Sequence, residues 1–393
     1  MKSPYSLDKI IGLDYFITDS PGIGGKLRKY TEDFCVEETY EDSGGKEGEY
    51  THFILEKRNW ETLKAIKAIS RHLGVSYKRF GYAGTKDKRA VTRQRVAVWR
   101  VEQERLENVR INGIKLSRFR KSEKRISLGD STGNKFRIVI RNVEGDEEAV
   151  SKNVSDTDMQ LKERGMPNYF GYQRFGVIRP NTQIVGKAIV KGNLEEAVMA
   201  YIGMPFEYEM EDAREARNFV QETRDFRGAL KIFPMRLGYE RAMLDSLAKN
   251  PNDYAGALRR LPKKLRWMLV HGYQSFLFNR VLSRMLEEKM DTRGKKIPLF
   301  GYKSMFSTGR QGEIEREIVE EEGISFEDFK LKATPEIASE GALRDANIEV
   351  QYKIDVLRNH AEEITCNVEF GLPRGSYATV LLREFMKAEP LNY

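Results

Sequence analysis

The stretch Gly81–Gln94 reads GYAGTKDKRAVTRQ, and the interpretation of the whole chain depends on it. It places a single carboxylate, Asp87, among Lys86, Lys88 and Arg89, directly after a turn of small residues. Nearby cations favour the ionised carboxylate, so Asp87 is expected to be a charged acceptor or a nucleophile. The same cations would hold a polyanion beside it. The competing interpretation is a solvated, charged turn, which composition alone favours.

The segments around this stretch show the periodicity of strands. Residues 77–82 and 92–99 read as the strands that enter and leave it, and period-two alternation predicts others at 32–38, 51–57 and 136–140. One helix is predicted after Asn59, its expected N-cap, with Gly74 as the stop. Several strands with few helices indicate a mainly antiparallel α+β domain.

From about Ser151 the pattern becomes helical, and it returns to strands near Asn347. The predicted helices cover residues 184–190, 194–202, 212–226 and 262–288; strands follow at 347–352 and 364–370, and a last helix at 378–387. We therefore predict a discontinuous domain formed by residues 1–162 and 346–393. A helix-rich inserted domain is expected at residues 163–345.

Composition limits the classes of function. The 393 residues are 40% hydrophobic, enough for sizeable cores, and the net charge is +8. Basic clusters, often beside aromatic residues, occur at 26–29, 86–89, 118–125, 259–266 and 293–296. Basic patches interleaved with rings suit RNA, although a single cluster is more often a solvated face. The 2 cysteines and 4 histidines have no zinc-ligand spacing, and no apolar run has membrane-spanning length, which predicts a cytoplasmic protein without membrane contact.

Six motifs together resemble one known family. In chain order they are EDF (32–34), AGTKDKRAVTRQ (83–94), GNKF (133–136), PNYFGYQRFG (167–176), QSFLFN (274–279) and LPRGSYAT (372–379). This series resembles the TruD family of tRNA pseudouridine synthases, in its archaeal-type branch, from about residue 26 to 387. The resemblance implies a pseudouridine-synthase domain interrupted by the family's own inserted domain. It also implies isomerisation of uridine to pseudouridine in tRNA, typically at position 13, without cofactor or metal.

The resemblance assigns roles to individual residues. Asp87 matches the family's catalytic aspartate. Arg28 falls where some members have a lysine near this acid; an arginine can form a bidentate pair with the carboxylate, or contact phosphate instead. Phe136 matches the aromatic that packs against the target uracil, although its sequence pattern alone predicts a core residue. Asn134 is expected to read the uracil edge or to hold the loop.

Other candidate substrate contacts are Lys86, beside the acid, and Gln173 and Arg174 in the NYFGYQRFG motif. The rings of that motif are expected to be structural. The expected partner is tRNA, and the expected state is a monomer. Two other classes stay open: an RNA-binding protein without catalysis, for which Asp87 has no use, and a metal-dependent nuclease, for which clustered carboxylates or histidines are not visible.

Overall fold

The strand at the centre of the fold follows from simple alternation. Within Gly133–Val143, Ile138 and Ile140 are buried, whereas Lys135 and Arg137, which precede them at alternate positions, are exposed. A strand with one apolar face needs neighbours on both edges and a cover on that face. The computed structural model describes residues 1–41, 47–358 and 363–393, and it places this strand between Phe34–Thr39 and Ile364–Pro373.

The strands of the described residues are β1 (Gly24–Lys26), β2 (Phe34–Thr39), β3 (Tyr50–Arg58), β4 (Phe80–Tyr82), β5 (Val91–Trp99), β6 (Ile114–Ser122), β7 (Gly133–Val143), β8 (Met166–Pro167), β9 (Lys296–Leu299), β10 (Ala342–Asp345), β11 (Asn347–Ile348), β12 (Tyr352–Arg358) and β13 (Ile364–Pro373). The helices are α1 (Ser6–Ile10), α2 (Thr62–His72), α3 (Gln103–Glu107), α4 (Glu147–Arg164), α5 (Thr182–Val190), α6 (Leu194–Ile202), α7 (Glu211–Thr223), α8 (Phe226–Ile232), α9 (Gly238–Lys249), α10 (Tyr254–Arg259), α11 (Lys263–Glu287), α12 (Gly309–Glu322) and α13 (Ala378–Met386).

The first of two compact units, here the sheet unit, consists of residues 20–162, 349–388 and 392–393. Its sheet has the order β12-β13-β7-β2-β5-β3-β6, with β1 added to β7 and β4 added to β5. Only the β2–β5 pair is parallel among the pairings of the described strands. The expected α+β class, with a mixed and mainly antiparallel sheet, is confirmed.

Helix α2 covers part of this sheet with the apolar face that its spacing predicts. Ile66 and Ile69 are buried in one cluster with Phe53, Leu55 and Val96. The expected N-cap is wrong, because the helix begins after Glu61. Asn59 instead has a positive φ of 58° and donates its backbone N–H to Ala90 O at 3.2 Å, so it forms the turn that precedes the helix.

The second unit, here the helical unit, consists of residues 1–19, 163–348 and 389–391. Its longest helix, α11, buries an apolar stripe that includes Leu269, Tyr273 and Val281, which confirms the expected helix-rich character. The predicted domain boundaries placed residues 1–19 in the strand-rich domain, but these residues group with the helices. A hydrogen bond contributes to this grouping, because Asn279 Nδ2 on α11 donates to Ile11 O at 3.0 Å. Among the described residues, no helix is long and apolar enough to cross a membrane.

Candidate active site

The Asp87 loop connects β4 to β5, and its backbone is held from two sides. Gln94 Nε2 donates to Gly84 O at 2.9 Å, and Lys86 N donates to Thr62 Oγ1 at 3.0 Å. The Thr62 hydroxyl donates in turn to Gln94 Oε1 at 3.1 Å, which closes a small network beneath the loop. Asp87 lies beyond these contacts, with its side chain 45% exposed. A rigid loop therefore presents an accessible carboxylate.

A buried lysine supports the same loop from the sheet. Lys57 is 0% exposed, and its ammonium donates to the backbone oxygens of Trp60 (2.7 Å), Lys86 (3.2 Å) and Asp87 (2.7 Å). Burial lowers the pKa of Lys57 to about 8, and the negative charge of Asp87 opposes that shift. The sequence interpretation missed this residue. The period-two pattern of β3 indicated its burial, because Phe53, Leu55 and Lys57 occupy alternate positions and share the buried face of the strand.

Arg28 reaches the acid, as the resemblance implies. Its Nη2 lies 3.7 Å from Asp87 Oδ2, and its side chain is only 12% exposed. The guanidinium also lies over the ring of Phe34, 3.8 Å from the centroid. Burial lowers the pKa of Arg28, and Asp87 opposes this. At 3.7 Å the contact is an ion pair without a hydrogen bond, so the expected bidentate arrangement is not formed.

Phe136 lies half-buried on the same face of the sheet as the Arg28 contact. In the register of the strands it is opposite Val36 on β2 and Phe370 on β13. Its ring stacks on Phe370, with centroids 5.0 Å apart, and meets the edge of Phe34 at 6.3 Å. Continuous contacts therefore run from Asp87 through Arg28 and Phe34 to Phe136. The sequence interpretation missed the roles of Phe34 and Phe370, which only strand pairing brings to Phe136.

Lys86 is much less accessible than a phosphate-binding residue should be. Its side chain is 9% exposed, and its ammonium lies 3.0 Å from Oε1 of Glu38, whose side chain is 0% exposed. It also donates to Asn134 Oδ1 at 2.7 Å. This bond leaves the amide nitrogen of Asn134 as the group that is free to point elsewhere. Glu38 Oε2 accepts from Arg95 N at 3.1 Å, so the pair is tied to two strands.

Gln173 and Arg174 belong to the helical unit, whereas Asp87, Arg28, Lys86, Asn134 and Phe136 belong to the sheet unit. Gln173 is exposed, and Arg174 Nε donates to Ser275 Oγ at 3.0 Å. The rings of the motif are buried within the helical unit, as expected: Tyr169 and Phe175 are both 0% exposed. The RNA contacts of Gln173 and Arg174 stay predictions.

The chemistry available at this site is that of a carboxylate linked through Arg28 to a group of aromatic rings. Asp87 can act as nucleophile or base, and Arg28 keeps a positive charge next to it. The half-buried ring of Phe136, packed between the buried Phe34 and Phe370, is the one of these three on which a planar base can stack. None of these rings can accept a proton, so a proton lost from a stacked base must pass to another group.

Comparison with known proteins finds one family. The profile of the family described as tRNA pseudouridine synthase D (TruD) matches residues 10–296 and 292–385. A protein of Methanococcoides burtonii named "Probable tRNA pseudouridine synthase D" is 39% identical, with 100% of both chains covered. A protein of Methanocaldococcus jannaschii named "Probable tRNA pseudouridine synthase D 1" is 40% identical over 96% of this chain and 99% of its own.

A solved structure shows the same relationship in three dimensions. The crystal structure of a Methanosarcina mazei protein, named for the same family, superimposes with a TM-score of 0.87 at 38% identity, with 100% of both chains covered. Identity at this level over the full length extends well beyond the short motifs around Asp87. The chain therefore belongs to the TruD family of tRNA pseudouridine synthases.

Proposed function

We propose that this protein isomerises uridine to pseudouridine in tRNA, at position 13, with Asp87 as the catalytic nucleophile. The observation that carries the proposal is the ion pair between Asp87 and Arg28, because it joins an accessible carboxylate to the aromatic surface through Phe34. In this reaction the C1′–N1 bond breaks and a C1′–C5 bond forms. The C5 proton leaves and N1 gains a proton, so that no atom is added.

Each residue of the site has a part in this proposal. The target uridine leaves its stack and its uracil lies against Phe136, next to Phe370. Asn134, oriented by its bond from Lys86, hydrogen-bonds the edge of the base. Arg28 directs the carboxylate of Asp87 toward the ribose. Lys86 thus belongs to the substrate-binding site through Asn134.

The partner and the domain roles complete the proposal. The sheet unit serves as the catalytic domain, and the helical unit serves as the family's inserted domain, with Gln173 and Arg174 as RNA contacts. The protein works on tRNA as a cytoplasmic monomer. The names of the relatives and the basic clusters support tRNA as the substrate.

The test is the Asp87→Asn variant, assayed with tRNA transcripts. Release of tritium from 5-³H-uridine measures loss of the C5 proton, and sequencing of pseudouridines locates the product. We expect turnover to fall about 10⁴-fold or more, with tRNA affinity within about threefold of the wild type, because the amide keeps shape but cannot act as a nucleophile. The exposed Glu104→Gln is a matched control. Turnover of Asp87→Asn near the wild-type rate would sink the assignment, and a wild type that binds tRNA without modifying it would be an RNA-binding protein.

A further inference from the structure

Lys57 has an unusual environment for a lysine. It is 0% exposed near the end of β3, paired in register with Thr92 on β5 and with Ile114 on β6. Buried lysines are rare unless a carboxylate neutralises them. Within residues 1–41, 47–358 and 363–393, no carboxylate lies within ion-pair distance of its ammonium. Three backbone carbonyls take that place instead.

The three carbonyls are not scattered. Trp60 O belongs to the turn before α2, and Lys86 O and Asp87 O are consecutive in the Asp87 loop. Each N–H of the ammonium therefore has one acceptor, which satisfies the group completely. A buried charge of this kind lowers stability relative to an apolar side chain, so its presence at one loop indicates a local requirement.

The position of the contacts shows what that requirement is. Thr62 and Gln94 hold the loop at Lys86 N and Gly84 O, on the side before the acid. Lys57 holds the two peptide groups that flank the Cα of Asp87, through Lys86 O and Asp87 O. The orientation of those peptide groups determines where the side chain of Asp87 points, and therefore its distance of 3.7 Å to Arg28.

We propose that Lys57 is a positioning residue. Its ammonium fixes the backbone at Asp87 by donating to Lys86 O and Asp87 O, and this directs the carboxylate of Asp87 toward Arg28 and the reacting nucleotide. The inference rests on the proposed function, since it deepens the account of how the same acid works. Lys57 does not touch the substrate. Its charge also contributes a positive potential beneath Asp87.

The first test is the Lys57→Met variant, whose side chain keeps length and loses the ammonium. Misplacement of a catalytic group by about 1 Å costs about 100-fold in rate, so we expect a single-turnover rate about 100-fold lower with tRNA affinity within about threefold of the wild type. Lys115→Met, an exposed lysine on the neighbouring strand β6, is the matched control and should retain the wild-type rate. A wild-type rate in Lys57→Met overturns the proposal, and so does an equal loss of rate and affinity.

The second test uses pH and does not depend on whether Lys57→Met folds. The charged groups that act on Lys57 are Asp87 and Lys86 on the loop and Glu61 before α2. A neutral amine has two hydrogens and cannot donate to three carbonyls. The wild-type single-turnover rate should therefore fall as pH rises through about 8. In Lys57→Arg, which stays charged, that fall should be absent.

Any ionisation of the RNA is common to both enzymes and cancels in this comparison. A wild-type rate that does not fall near pH 8 overturns the proposal, and so does an equal fall in the arginine variant.

A third measurement separates this inference from the proposed function. Hydrogen exchange of the loop amides at residues 84–89, without RNA, reports how firmly the loop backbone is held. Loss of a hydrogen-bonded charge should speed exchange there about tenfold in Lys57→Met, with β7 unchanged. If the wild type makes no pseudouridine, the proposed function fails while this measurement still decides the role of Lys57. If the wild type is active and exchange is unchanged, only the role of Lys57 is wrong.

Discussion

Replacing Lys86 by methionine tests whether this cation binds RNA or holds Glu38 and Asn134 in place inside the protein. Its ammonium lies 3.0 Å from Glu38 Oε1, with the two side chains 9% and 0% exposed. At an effective dielectric constant of about 20, unit charges at this distance attract by about 5 kcal/mol before desolvation is counted. Removing one partner of a buried pair costs about 3–5 kcal/mol, because the other charge then stays buried alone.

We therefore expect Lys86→Met to lower the free energy of unfolding of the sheet unit by about 3–5 kcal/mol. The double variant with Glu38→Gln should recover most of this loss, since it removes the unpaired charge. Hydrogen exchange at the amides of β2 and β7 is the suitable assay, because a chain with two units need not unfold in one step. Lys115→Met is again the matched control for an exposed lysine.

The same variants separate the two roles of Lys86 in function. If Lys86 orients Asn134, both the single and the double variant lose turnover and keep their tRNA affinity, because neither restores the bond to the Asn134 amide. Wild-type stability of Lys86→Met, combined with weaker and less salt-dependent tRNA binding, would refute this reasoning. Lys86 would then be a phosphate contact.

Two further predictions follow from the aromatic surface and the basic clusters. Phe136→Ala should raise the activation free energy of the single-turnover reaction by about 1–3 kcal/mol, the contribution of base stacking, and should change tRNA affinity less. The exposed Tyr77→Ala should change neither quantity. Equal values for Phe136→Ala and the wild type would make the ring a core residue. In a titration with salt, tRNA affinity should decrease with a log–log slope of about −0.7 for each phosphate that is neutralised on single-stranded RNA. An affinity that ignores salt would show that the basic clusters are solvated surface.

Much of the fold was predictable because the strands and helices carry their own periodicity. The alternation predicted at 136–140 and 364–370 and the apolar stripe predicted at 262–288 depend on local pattern, and the structure has β7, β13 and α11 there. Helix ends were less predictable. Asn59 has the chemistry of an N-cap, but a contact with Ala90, distant in sequence, holds it in a left-handed turn instead.

By itself the sequence determined the family and the α+β class, and it named Asp87, Arg28, Asn134 and Phe136 as candidate site residues, since these rest on motifs and on residue chemistry. Only the tertiary structure decided what surrounds them. Pairing of β7 with β2 and β13 brings Phe34 and Phe370 to Phe136. In the folded chain the buried Lys86 pairs with Glu38, and the buried Lys57 donates to the backbone of the Asp87 loop. Such contacts join residues far apart in the chain, and no local pattern encodes which carbonyl or carboxylate a buried cation will meet.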